Sequence, residues 1–180
     1  MRKLQIADSF ILLLAAIGFL DTQGIGLQFL CAAALHEIGH CAAIFLCRGR
    51  IYTIRLTVLG GVIRYHLPYL CAWQDACIAA AGPLCGLLAA WISVRFGFVS
   101  FAGANLILSC INLIPVRPLD GGNIVSAFLF RQEVQVTLET VLCVLLSAAA
   151  VWLALHGNGF GMLLFCGALW WNLKNNLLNV

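Results

Sequence analysis

The sequence predicts an all-α integral membrane protein of six transmembrane helices, with a short cytoplasmic-side β-hairpin and a membrane-embedded proline/glycine break. Three observations predict it. Of 180 residues, 63% are hydrophobic and 9% charged, and the mean hydropathy is +1.01. A soluble domain of this length has no core large enough to hide so much apolar surface. The apolar residues gather in runs close to the ~20 residues that a helix needs to cross hydrocarbon. Two segments, 50–66 and 112–123, interrupt the runs with strand and turn chemistry. A net charge of +3 without a basic block excludes a nucleic-acid partner.

The spans are expected at 4–20, 24–47, 69–94, 98–115, 134–155 and 159–176. The first has the basic start and apolar middle of a signal peptide. The following "DTQGIGLQ" lacks a small-x-small cleavage site, so it reads as a retained helix. Gln5, Asp8 and Ser9 weaken its start. After the second span, "RIYTIRLTVLGGVIRYH" alternates apolar and polar residues through Ile51–Val58, with Gly60-Gly61 as the turn. Period two and β-branched residues predict a hairpin. Its edge is either a pairing surface for an extended peptide or plain surface. After the fourth span, Pro115 and Pro118 of "NLIPVRPLDGGN" forbid a continuous helix, and Gly121-Gly122 permit turns that other residues resist. Irregular backbone at membrane depth must be buried in protein or line a wet cavity.

Basic residues collect on the cytoplasmic side. With the N-terminus inside, Arg2, Lys3, Arg48, Arg50, Arg55, Arg64, Arg117, Arg131 and Lys174 are cytoplasmic and only Arg95 is outside. Both termini are therefore expected in the cytoplasm. Without repeats or low-complexity stretches, residues 1–180 read as a single polytopic domain. The nine cysteines contain no C-x-x-C pair and read as packing residues rather than a disulfide framework.

One stretch does not belong in hydrocarbon. "ALHEIGHCAA", residues 34–43, sets two histidines and a glutamate in an apolar run, where ionisable groups are costly and usually functional. On a helix, positions i and i+4 share a face, so His36 and His40 can both aim imidazole nitrogens at one metal ion. Glu37 lies about 100° round the helix from His36, within reach of a water on that metal. Zn2+ suits neutral imidazoles and a catalytic site with an open position. It lowers the pKa of a coordinated water towards ~7, and Glu37 is the candidate catalytic base. At this chain's own residue frequencies the H-E-x-x-H pattern arises by chance about once in 700.

Two histidines leave the metal short of a protein ligand. Asp8, Asp21, Asp75, Asp120, Glu133, Glu139, His66, His156 and the cysteines are candidates. Asp21 and His156 fall at the outer surface in the expected topology. His40 lies seven residues from the inner end of its span, about 10 Å deep at 1.5 Å per residue. The missing ligand then comes from a segment that dips in from the cytoplasm, as Asp120 does between a proline break and a glycine pair.

H-E-x-x-H on one span, followed about 80 residues later by "NLIPVRPLDGG", resembles the site-2 protease family of intramembrane zinc metalloproteases. That family's second motif is Asn-x-x-Pro-x-Pro-Leu-Asp-Gly, met here by Asn112, Pro115, Pro118, Leu119, Asp120 and Gly121, with Arg117 between the prolines. "AAGPLCG" at 80–86 is similar to the family's Ala-Gly-Pro helix start, and "LTVLGGVI" resembles its strand and Gly-Gly turn. The resemblance covers a core of about residues 24–130 and is closest to the sporulation (stage IV) branch, which processes a sigma-factor precursor. It implies zinc on His36, His40 and Asp120, Glu37 as catalytic residue, and hydrolysis of a membrane-tethered protein substrate near the cytoplasmic face. Asn112 would bind the substrate backbone or the developing oxyanion, or else a neighbouring helix. A multi-pass place in the lipid bilayer of a bacterial cell membrane (the forespore outer membrane in that branch) follows, as do candidate inhibitory membrane-protein partners. Val180 lies four residues past the last expected span, so neither a CBS domain nor a PDZ insertion is expected.

The alternative is a membrane metal transporter or sensor, which also places histidines and acids in spans. Transport spreads ligands along a path and has no particular need for a glutamate beside the first histidine. A proteolytically dead scaffold is disfavoured because all four catalytic positions are filled.

Overall fold

Lipid offers no hydrogen-bond partner to a backbone N–H or C=O, so apolar runs of this length become helices. The computed structural model describes residues 3–57, 60–68, 71–129, 131–157 and 160–178. Its helices are α1 (Asp8–Leu20), α2 (Ile25–Leu46), α3 (Ala72–Arg95), α4 (Val99–Asn112), α5 (Asp120–Phe128), α6 (Gln132–Leu155) and α7 (Phe160–Leu178). Among the described residues, α2, α3 and α6 are long and apolar enough to cross a membrane. Their outward faces are apolar, with Leu84, Leu88 and Trp91 exposed on α3 and Val141, Leu145 and Trp152 on α6. The helices α1 and α4, of 13 and 14 residues, are apolar but shorter.

The first expected span is corrected at its start. Residues Lys3–Ile6 form a strand, β1, and the helix begins only at Asp8. The alternation Lys3-Leu4-Gln5-Ile6 carries the strand period, and the free edge of the next strand recruits it. The hairpin is likewise larger than expected: β1 pairs in parallel with β2 (Arg50–Thr57), which pairs antiparallel with β3 (Gly60–His66). With β2 in the middle of this three-stranded sheet, the edge strands are β1 and β3. Gly60 and Gly61 are not the turn itself but open β3, opposite Thr57 and Leu56. Val58 and Leu59 lie outside the described residues. Gly60 has φ 120°, open to glycine alone, and Thr57 Oγ1 donates to its carbonyl at 2.8 Å.

The Pro-Gly segment is also more regular than expected. The fourth helix stops at Asn112 because Pro115 disfavours helical backbone in the residue before it. The turn includes a cis Arg117–Pro118 bond, and a new helix starts at Asp120. Gly121 and Gly122 are thus helical rather than turn residues. They are needed for close approach: a Cβ on Gly121 would run into the Leu113 and Ile114 carbonyls, and one on Gly122 into Val116 and the Arg117 nitrogen. Pro83 lies inside α3, as the expected span 69–94 has it, and is buried.

Contacts divide the chain into two compact units, Met1–Ile111 and Asn112–Val180. The first has a core of Ile44, Leu67 and Ile78, where α2, the sheet and α3 meet. Tyr65 of β3 donates from its hydroxyl to Asp75 Oδ1 at 3.4 Å, tying the sheet to the start of α3. Burial, then the Asp75 charge, raise the Tyr65 phenol above its ordinary pKa. The second unit is built on Val116, Cys143, Leu169 and Leu173, so the proline turn is nailed to α6 and α7 by a wholly buried valine.

Asp21 holds the entry to α2. Its Oδ2 accepts the Leu27 N–H at 2.9 Å, one of the donors that a helix start leaves unpaired. That bond, helped by the Gly26, Ile25 and Gly24 amides against a smaller opposing effect of burial, holds the carboxyl below its usual pKa. A depressed pKa contributes stability above the unfolded value of about 3.9 that is lost as pH falls through the folded one. Asp21→Ala is expected to lower the melting temperature in detergent at pH 7 by a small amount, and the gap to the parent should close as pH drops below about 4. Melting curves of both proteins across that range check it.

Candidate functional site

In the first unit, α2 presents His36, Glu37 and His40 where it packs on α3. Glycines permit the approach. A Cβ on Gly39 would lie 2.6 Å from the Ala81 carbonyl oxygen and 2.8 Å from Cys85 Cβ, so the glycine inside "HEIGH" is a packing requirement. Gly82 of α3 faces the histidines themselves: a Cβ there would lie 2.6 Å from His40 Cε1 and 2.8 Å from His36 Nε2. Small residues at such crossings are the usual device for bringing membrane helices together.

Both imidazoles are buried, and their Nε2 atoms face each other at 3.1 Å. His40 Nδ1 lies 2.7 Å from the Ile78 carbonyl oxygen. A carbonyl only accepts, so that contact assigns the proton of neutral His40 to Nδ1 and leaves the Nε2 lone pair directed at His36. Orienting a ligating histidine through its other nitrogen is the common second-sphere arrangement at metals. A tetrahedral zinc at ~2.0–2.1 Å from two nitrogens would hold them about 3.3 Å apart. The observed separation is within a few tenths of an ångström of that value, so the donor pair fits the ion.

Glu37 is half-buried beside this pair, and its Oε1 accepts the Gly61 N–H of β3 at 2.9 Å. A Cβ on Gly61 would lie 2.6 Å from the Glu37 carboxyl carbon, so the sheet comes this close only as glycine. The strand thereby positions the glutamate, a role not apparent when Gly60-Gly61 is read as a turn.

The other two expected site residues lie in the second unit. Asn112 is the last residue of α4, and Asp120 the first of α5, in the turn of helix where a carboxylate is favoured by the helix dipole. Both are half-buried. Sequence reasoning missed Ile78, Gly82 and Gly61. The signal for Gly82 was present in "AAGPLCG", but nothing in the sequence says which helix it faces.

No family model matches the chain. In the solved structures, the chain aligns with a site-2 protease from Methanocaldococcus jannaschii at a TM-score of 0.70 and 20% identity, over 97% of this chain and 90% of that one. The fold is that of a site-2 protease. In sequence, this site-2-protease-like chain is 28% identical over 153 residues to Stage IV sporulation protein FB of Bacillus subtilis (strain 168), covering 74% of the chain and 52% of that relative. It is 27% identical over 150 residues to a Synechocystis sp. protein whose name marks it as a candidate zinc metalloprotease, covering 75% and 39% respectively. The chain therefore spans about half or less of the length of these curated relatives. The resemblance to the site-2 protease family stands on the fold, and that to its sporulation branch on sequence.

Proposed function

We propose that this chain is a zinc-dependent intramembrane endopeptidase that hydrolyses a peptide bond in or beside a transmembrane segment of a membrane-tethered protein. The observation that carries the reading is the pair of buried histidine nitrogens facing each other at 3.1 Å, one of them oriented by the Ile78 carbonyl. His36, His40 and Asp120 would hold the zinc, which would supply Lewis acidity and water activation when bound. Glu37, held on the Gly61 amide, takes the proton of the attacking water and passes it to the leaving amine. Asn112 binds the substrate backbone. The name of the Synechocystis relative supports a protease that uses zinc, and a sigma-factor precursor is the substrate class that the resemblance to the sporulation branch suggests.

The remaining parts of the reading concern placement. Six membrane crossings bring both termini to the cytoplasm of a bacterial cell, with the site opening towards that face. The positive-inside distribution supports this. An inhibitory membrane protein is the proposed regulator. Co-expression with membrane-tethered candidate precursors tests the function: a shortened product should form with the parent chain and be absent with His40→Ala. Product formed equally by both proteins would overturn the proposal.

A further inference from the structure

Outside the site, the second unit buries one acid that the proposed chemistry does not use. Glu139 of α6 is only 1% exposed, in a stretch otherwise built for lipid and core. It makes four contacts. Arg117 reaches it with Nε at 2.7 Å and Nη2 at 3.3 Å, and the Arg117 backbone N–H donates at 3.3 Å. Gln135, one helical turn earlier and also buried, donates its side-chain amide at 3.1 Å. The carboxylate thus holds the turn before Asp120 by side chain and main chain at once.

The place of Arg117 gives this network its meaning. It stands between Pro115 and Pro118, three residues before Asp120, and its neighbour Val116 is fully buried. Immediately after Asp120, Gly121 and Gly122 lie flush against the same turn, on Leu113, Ile114, Val116 and the Arg117 nitrogen. Asp120 is therefore set between a glycine pair packed on the turn and an arginine anchored to α6. Glu139 is buried while the Arg117 side chain is 25% exposed, and such an ion pair is weak evidence for stability, because desolvation offsets much of its attraction. What this pair fixes by main chain and side chain is the turn that leads to Asp120.

We propose that Glu139, through Arg117, is a positioning residue for the Asp120 carboxylate, holding it ready to ligate zinc. The inference rests on the proposed function. Arg117→Met/Glu139→Met removes both charges without stranding either one, and such apolar replacement usually leaves folding intact or improved. The test uses the full chain purified in detergent, with zinc affinity measured against a competing chelator and melting of the metal-free protein measured alongside. The expected result is a zinc affinity about 10–100-fold weaker, as for other groups that orient a ligand, with the metal-free melting temperature unchanged or raised. Glu139→Gln should weaken zinc binding in the same direction. Zinc affinity of the double variant within about twofold of the parent overturns the proposal. So does a loss of affinity accompanied by a lower metal-free melting temperature, which marks a merely structural role. Asp120→Ala separates the two failures. If it weakens zinc binding while the double variant does not, only the positioning role falls; if it has no effect, the three-ligand reading falls as well.

Discussion

Glu37→Gln should keep zinc bound and slow peptide hydrolysis by about 10²–10⁴-fold, the ordinary contribution of a positioned acid–base group. The substitution is isosteric, and the amide oxygen can still accept the Gly61 N–H that now holds Oε1 at 2.9 Å. The side chain should therefore stay in place while losing its ability to take up a proton. The histidine pair, one helical step away, keeps its separation and its Ile78 contact, so metal content should be unchanged. Metal analysis of the purified variant, set beside the yield of cleaved precursor, reads both halves. The same variant discriminates against a metal transporter, in which this position has no proton to move. Cleavage that survives in the glutamine variant at the parental rate would remove Glu37 from the chemistry.

Gly82→Ala should weaken zinc binding by about 100-fold or more, beyond the cost of losing a group that merely orients a ligand. The added methyl group needs space now held by His40 Cε1 and His36 Nε2. Helix α3 cannot yield, because Gly39 already brings α2 against Ala81 and Cys85 at that level. The imidazoles can swing aside, which preserves the fold but destroys the facing pair. Alanine is otherwise the better residue in a helix, by about 0.5–1 kcal/mol over glycine, so the metal-free protein should melt no earlier than the parent. Gly103→Ala in α4 is the control, since a Cβ there has no neighbour within 4 Å and zinc binding should be unaffected. Chelator competition and melting curves on the three proteins decide the matter, and equal affinity in Gly82→Ala would show that the histidines do not hold zinc in this arrangement.

Much of the fold was legible because its signals are local. A helix needs only an apolar run of sufficient length, and α2, α3 and α6 begin and end within three residues of the expected bounds. The i, i+4 spacing of His36 and His40 converts directly into a shared face. Where local rules competed, the expectation failed. Lys3–Ile6 continues smoothly into an apolar run and reads as helix, yet the edge of β2 claims it as a strand. Gly121 and Gly122 read as turn residues because glycine breaks helices, yet they sit inside one. Their small size matters there, and their freedom in φ does not.

The sequence alone determined the membrane class, the helix-borne histidine pair with its neighbouring glutamate, and the proline-interrupted segment carrying Asp120. Each depends on residues within a turn or two of one another, where hydropathy and helical period act. Only the tertiary structure decided that the Ile78 carbonyl orients His40, that Gly82 makes room for both rings, that Gly61 of a three-stranded sheet holds Glu37, and that Glu139 grips Arg117. These partners lie 22 to 46 positions apart in the chain, and which ones meet is settled by close packing, for which no local pattern codes.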